Sequence, residues 1–180
     1  LEVNAFATLF HLDKAKSGFS KPVPALKSRN ASLRVRGTKI ENERVAGNAA
    51  NTPKGRIRAG ETLFKMFCIG CHGPEGKGLP SISPTLHSDW VSGDREILVK
   101  VLLKGLGGEI KVNGKLQNYE AAMPGFGPAL GDDEIASILS YVRSTWTDAK
   151  ADVTSAFVRK IRGAEKGKSE PYDASELWKN

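Results

Sequence analysis

Apolar residues recur at helical spacing in long stretches of this chain and alternate only briefly elsewhere. From Asp94 to Leu103 an acidic start leads into Ile97, Leu98, Val99, Val101, Leu102 and Leu103. That pattern predicts a helix with an apolar face, ended by Gly105, Gly107 and Gly108. Ile135, Ile138, Leu139 and Val142 repeat at the same spacing behind Asp132-Asp133-Glu134, an acidic cap for a final helix. A further helix is predicted from Ala59 to Gly70. Ile110-Lys111-Val112-Asn113-Gly114-Lys115-Leu116 alternates around Asn-Gly, the pattern of a small β-hairpin. Tyr119 to Pro128 is a turn-rich loop of glycine and proline.

The ends of the chain differ from this middle. Residues 1–57 open with Phe6, Leu9, Phe10 and Leu12 at roughly helical spacing, continue through Pro22 and Pro24, and alternate briefly at Leu33-Arg34-Val35-Arg36-Gly37. So few apolar residues do not make an independent core. The segment reads as a leader without fixed structure, an arm wrapping its own domain, or a docking arm whose Leu33 and Val35 join a partner's sheet edge. Residues 149–180 read as a helical, polar tail; Trp178 within it is either part of a tail without fixed structure or a docking anchor. The organisation expected is therefore a basic N-terminal extension over 1–57, one domain over 58–148 and the tail. A length of 180 residues suits one modest core with extensions. No run of eighteen apolar residues occurs, so no membrane-spanning helix is expected.

Charge sharpens the division. Residues 1–58 carry a net +8, residues 59–148 a net −3 and residues 149–180 a net +2. The central domain is thus mildly acidic although the whole chain is +7. Nucleic-acid binding is disfavoured, because aromatic residues do not interleave with the basic ones.

The chemistry concentrates in Cys68-Ile69-Gly70-Cys71-His72. C-x-x-C-H is the spacing of covalent haem attachment: two cysteines about one helical turn apart meet the two porphyrin vinyl groups, and the adjacent histidine reaches the iron. The rival readings of C-x-x-C are a zinc half-site and a redox dithiol. Zinc would need two more ligands, and beyond His72 the chain offers only His11 and His87, with no third cysteine. Both of these histidines read as ordinary surface residues. A thioredoxin-like pair would need a βαβ context that the pattern lacks. A second iron ligand is then expected, and Met123, before a proline in the stiff loop, is the candidate. A thioether there favours ferrous iron and raises the potential. Met66, two residues before Cys68, faces away on the helix. An ordinary loop role for Met123, ligation by His87, and an open sixth position are the alternatives.

Residues 58–147 resemble a class I c-type cytochrome domain, with an attachment motif near the first helix, a methionine loop later and a final helix after it. Gly60 and Phe64 stand where that family's first helix crosses its last, and Ile138 and Tyr141 where the last helix supplies the partners. Pro84, twelve residues after His72, matches the proline whose carbonyl accepts the proximal imidazole's hydrogen bond. The run Met123-Pro124-Gly125-Phe126, then Glu134-Ile135-Ala136 and Ser140-Tyr141-Val142-Arg143-Ser144, ending at Trp146, is similar to cytochrome domains or subunits serving quinoprotein dehydrogenases. The resemblance implies a mainly α fold, with helices around one haem c, a small β-hairpin and extended arms. It implies single-electron transfer by an iron held between His72 and Met123, with no substrate on the metal. Cys68 and Cys71 would carry the porphyrin, Pro84, Trp90 and Phe126 would line its pocket, and Trp146 would be structural. Trp90 reads either as pocket wall or propionate contact, or as core. The glycines from Gly73 to Gly78, lacking the ending of a phosphate loop, would pass close to haem. Ile69, Gly70, Gly125 and Phe126 would ring the exposed haem edge. Redox proteins are the expected partners: a dehydrogenase, an oxidase or another cytochrome. A resident subunit of a larger complex, fastened by the N-terminal arm, and an open-site peroxidase or gas sensor are the other function classes. No distal histidine/arginine pair favours the last. Haem attachment of this kind implies a periplasmic or extracytoplasmic protein whose signal peptide has been removed.

Overall fold

The computed structural model describes residues 52–150 and 153–178. The apolar patch at positions 6–12, the candidate strand at Leu33 and Val35, and His11 lie outside the described residues.

Helix α1 spans Pro53–Phe67, six residues earlier than the apolar pattern indicates. The reason is local: Thr52 caps it, its hydroxyl accepting from the Gly55 amide at 3.0 Å, and Pro53 occupies the first turn, where no backbone donor is missed. α1 also stops early. Cys68 breaks it from the single turn α2, Ile69–His72. After a long loop come α3, Asp89–Ser92, capped by Ser88, and α4, Arg95–Lys104, capped by Asp94. The three-residue β1, Gly105–Gly107, continues directly from α4. The hairpin follows as β2, Ile110–Val112, and β3, Lys115–Gln117, with Asn113 and Gly114 both at positive φ, as its two-residue turn needs. β4 is only Met123–Pro124. α5, Asp132–Trp146, begins at the first residue of its expected acidic cap and is capped one residue earlier. Gly131 is the N-cap, and the Glu134 carboxylate accepts its amide at 2.7 Å.

The crossing of α1 and α5 organises the core. A Cβ on Gly60 would lie 1.9 Å from the Ser137 carbonyl oxygen and 2.7 Å from Tyr141 Cβ, so the backbones meet with no room for a side chain. One turn on, the buried Phe64 ring packs against Trp146 at 4.8 Å and Tyr141 at 5.7 Å between centroids. Val99 of α4 and Ile135 and Ile138 of α5 complete a fully buried centre. Burial of each such side chain stabilises by about 1.5–3 kcal/mol.

The C-terminal segment is folded onto this core rather than trailing from it. α6, Ser155–Ala164, buries Val158 and Ile161, and its Arg162 reaches Asp132 at 2.7 Å and the carbonyls of Gly127 and Leu130 at 2.6 and 2.8 Å. β5, Tyr172–Asp173, then pairs in parallel with β1, which pairs antiparallel with β4 on its other edge. α7, Ala174–Leu177, brings in Trp178, which stacks on Trp90 at 5.0 Å and 24°. The tail reading of Trp178 is thereby corrected. A lone tryptophan among polar residues gives no sign in sequence that a partner ring waits eighty-eight positions away.

Gly60→Ala should lower stability by about 1–3 kcal/mol through overpacking. Gly163→Ala, at an exposed helical site with nothing within 4 Å, should raise it by about 0.5–1 kcal/mol. Thermal unfolding of the two variants beside the parent checks both signs.

Candidate functional site

At the α1–α2 break, the amides of Cys71 and His72 donate to the Cys68 carbonyl at 3.2 and 2.9 Å. This single turn groups the two sulfurs and the imidazole. Both cysteines are free, Cys68 half-buried and Cys71 exposed. Burial, with Cys71 acting in the same direction, pushes the Cys68 thiol up to about 11. The attacking cysteine of a redox dithiol has a depressed value instead, and Cys68 does not. Among the described residues no three His, Cys, Asp or Glu side chains group as metal ligands, which leaves a zinc half-site without partners.

His72 is buried and its Nδ1–H donates to the Pro84 carbonyl at 3.3 Å. Burial lowers the imidazole pKa and the Pro84 bond partly opposes it. The ring is neutral, with Nδ1 committed as donor and Nε2 left with the lone pair. The loop from Gly73 to Pro84 fixes the carbonyl in place. Ser83 Oγ donates to the Cys71 carbonyl at 2.6 Å, and the Gly78 amide to the His72 carbonyl at 3.0 Å. Two glycines of this loop lie tight against the protein. A Cβ on Gly76 would fall 2.6 Å from the Trp146 ring, and one on Gly78 2.3 Å from the Ser83 carbonyl oxygen. Both have positive φ. Their role is to curl the loop so that Pro84 reaches His72.

These groups wall a cleft of two lobes. The outer lobe, about 980 Å³ and open to solvent, is bounded by Cys68, Cys71, His72, Tyr119, Met123 and Phe126. The inner lobe, about 710 Å³, runs between Phe64, Trp90, Leu98, Leu102, Ile138 and Leu139. Cys68, His72, Pro84, Leu106, Ile110 and Met123 border both. Among the described residues, no Asp, Glu, Lys or Arg lines either lobe. The structure therefore brings together all seven residues that the sequence singled out for the pocket. Trp90 is 5 % exposed and belongs equally to a second apolar cluster with Ile110 and Val112. Its indole N–H donates to the Lys111 carbonyl at 2.8 Å, so it is committed to the protein rather than held ready for a propionate. Met66 is 67 % exposed and borders neither lobe. His87 is exposed, its Nε2 against the Glu75 carbonyl. Ile82, Ser83, Leu106 and Tyr119 also line the cleft or its supports. Sequence reasoning passed over them because lone apolar or hydroxyl residues in loops carry no periodic signal.

The donor set suits a covalently held haem. Two thiols sit one turn apart on the wall that carries a neutral imidazole of fixed tautomer. A thioether borders the same space, and the interior is apolar and free of charge.

Comparison with known proteins agrees. The cytochrome c family model matches residues 57–146, half of the chain. The chain is 37% identical over 117 residues to cytochrome c-552 of Thermus thermophilus, covering 62% of this chain and 76% of that protein. It is 30% identical over 125 residues to the fructose dehydrogenase cytochrome subunit of Gluconobacter japonicus, covering 65% of this chain and 24% of the subunit. Identity is 28% over 124 residues with the cytochrome c subunit of the quinone-type alcohol dehydrogenase of Gluconacetobacter polyoxogenes, covering 67% of this chain and 25% of the subunit. The chain thus spans most of the first relative and about a quarter of the dehydrogenase subunits. It belongs to the cytochrome c family, whose members bind covalently attached haem c and carry electrons on its iron.

Proposed function

We propose that His72 and Met123 are the axial ligands of the haem iron, and that the chain passes single electrons from a periplasmic dehydrogenase or respiratory complex to a terminal acceptor. The observation that carries this reading is that the Pro84-bonded imidazole and the Met123 thioether border one cleft. Bound haem c supplies a reversible ferric/ferrous couple.

The protein residues bias that couple. The hydrogen bond from Nδ1 to Pro84 fixes the ring and raises its donor strength. Met123 is a soft donor that favours the reduced metal. A wall without ionised side chains favours the iron state of lower net charge. The last two effects point to a high potential. With His72 and Met123 both holding the iron, no position would be left for a substrate, and this reading favours a carrier over a peroxidase or gas sensor. Phe67 and Ile82, 41% and 47% exposed, border the outer lobe, and Phe67 meets Phe126 edge-on at 6.4 Å. This apolar rim suits the brief contacts of redox encounters, which bury little area. An extracytoplasmic location follows from covalent haem attachment, and no described helix is long and apolar enough to cross a membrane. A second reading, a haem-bearing subunit held inside a larger complex, is favoured by the likeness to the dehydrogenase cytochrome subunits.

Met123→Ala should leave haem covalently attached, abolish the methionine–iron charge-transfer band of the oxidised protein and lower the potential by about 100 mV or more, within the ~0.8 V span that axial ligands command. Spectroelectrochemical titration reads all three, and an unchanged potential would remove Met123 from the iron. Replacing both Cys68 and Cys71 by Ala should abolish the haem stain of the denatured chain on a gel. A retained stain would mean attachment elsewhere.

A further inference from the structure

The strand that carries Met123 is very short. β4 is two residues long, pairing Met123 with Leu106 and Pro124 with Gly105. Before it, residues 118, 120, 121 and 122 are exposed, and the backbone tie that this stretch makes to another loop is the Glu120 amide to the Ser81 carbonyl at 2.9 Å. Two strand residues by themselves give weak register; after them the Phe126 and Gly127 amides donate to the Leu102 and Leu103 carbonyls at 2.8 and 3.1 Å, which leaves the N-terminal side of Met123 the less secured. β1 in turn is three residues long, and its other edge is filled by β5. Leu106 faces Met123 on one side and Tyr172 on the other, so the three residues form one row across the sheet.

The far end of that row is anchored heavily. Tyr172 is buried, its hydroxyl donates to the Glu165 carboxylate, and the Lys168 ammonium lies 4.3 Å from its ring centroid. Lys104, the last residue of α4, donates from Nζ to the Lys168 carbonyl. Asp173 starts α7, accepting from the Ser175 amide at 2.9 Å, while its carboxylate fills the space beside Gly108. α7 ends in Trp178, stacked on Trp90, which borders the inner lobe of the cleft. Met123 and Trp178 pack against the same apolar cluster, Trp90, Val101, Ile110, Val112 and Ala174.

From this arrangement we infer that the segment Tyr172–Trp178 is a positioning clasp for Met123, holding the thioether on the iron against competing ligands. The inference rests on the proposed ligation by Met123 and extends it to residues about fifty positions downstream. Trp178 and Tyr172 touch neither iron nor porphyrin in this role. They act through β1 and through Trp90, by restricting how far β4 can move. Loosening the clasp raises the population in which Met123 has left the metal, and an added ligand captures that population.

Imidazole is the probe, titrated into the oxidised holoprotein and followed by loss of the methionine–iron charge-transfer band. The variants are Trp178→Ala, Trp178→Phe, a chain ended after Ser169, and Met123→Ala alone and combined with Trp178→Ala. The expected result is imidazole binding at least tenfold tighter in Trp178→Ala and tighter still in the shortened chain, with Trp178→Phe restoring most of the parent value. On the Met123→Ala background, followed in the Soret band, Trp178→Ala should change the affinity less than twofold, because nothing remains to be positioned. Should Trp178→Ala and the shortened chain lower the unfolding temperature but leave imidazole affinity within twofold of the parent, the clasp is merely structural and the inference fails alone. An equal tightening with and without Met123 would likewise overturn it, since the segment would then be guarding the cleft. If Met123→Ala itself leaves imidazole affinity unchanged, the ligation reading falls and the clasp with it.

Discussion

The contact on which the rest of this structure depends is the meeting of α1 and α5 at Gly60. Helices that pass at ordinary separation leave room for side chains between them; here the glycine backbone lies against the Ser137 carbonyl. That closeness lets Phe64 reach both Tyr141 and Trp146, and Trp146 in turn lies against Gly76 of the loop that carries Pro84. The angle at which α1 leaves the crossing sets where Cys68, Cys71 and His72 fall. A backbone contact far from the iron site thus determines the wall of the cleft.

The opposite wall is built on a different principle. Met123, Leu106 and Tyr172 are held by short strands, a few hydrogen bonds and cross-chain anchors such as Arg162 to the Gly127 carbonyl. One side is a rigid helical joint and the other a small sheet assembled from three distant parts of the chain. Under the proposed ligation by His72 and Met123, a metal held from both sides would close the fold across the cleft and couple coordination to folding free energy.

Much of this was legible in the sequence where a residue's chemistry and its spacing agree. C-x-x-C-H permits few readings, and the resemblance to the class I cytochrome domain puts Gly60, Phe64, Ile138 and Tyr141 at the helix crossing, so the helical wall was legible through that likeness. The Asn113-Gly114 hairpin was equally clear, because two positive φ values leave few residue choices. What stayed hidden was pairing between remote short segments. β1, β4 and β5 are two or three residues each, too short to show alternation, and nothing at Tyr172 points to Leu106. The Trp90–Trp178 stack was missed for the same reason. The crowding of Gly76 and Gly78 is set by Trp146 and Ser83, partners that only the folded chain reveals. The starting point of α1 was available in the capping pair Thr52-Pro53, six residues before the expected start at Ala59.

The uncharged lining of the cleft has a kinetic consequence. When the charge of a buried centre changes by one unit, the energy needed to bring the surroundings to the crossing point depends on how many dipoles and ions must move. Here the walls are mainly hydrocarbon, with the sulfurs, a few hydroxyls and one clamped imidazole, and among the described residues no carboxylate or ammonium lies along them. Such surroundings are already arranged and reorganise little. Electron exchange in such a site needs little driving force, so partners of nearly equal potential can trade electrons in both directions. The supply of reduced donor and oxidised acceptor then decides which way the current runs.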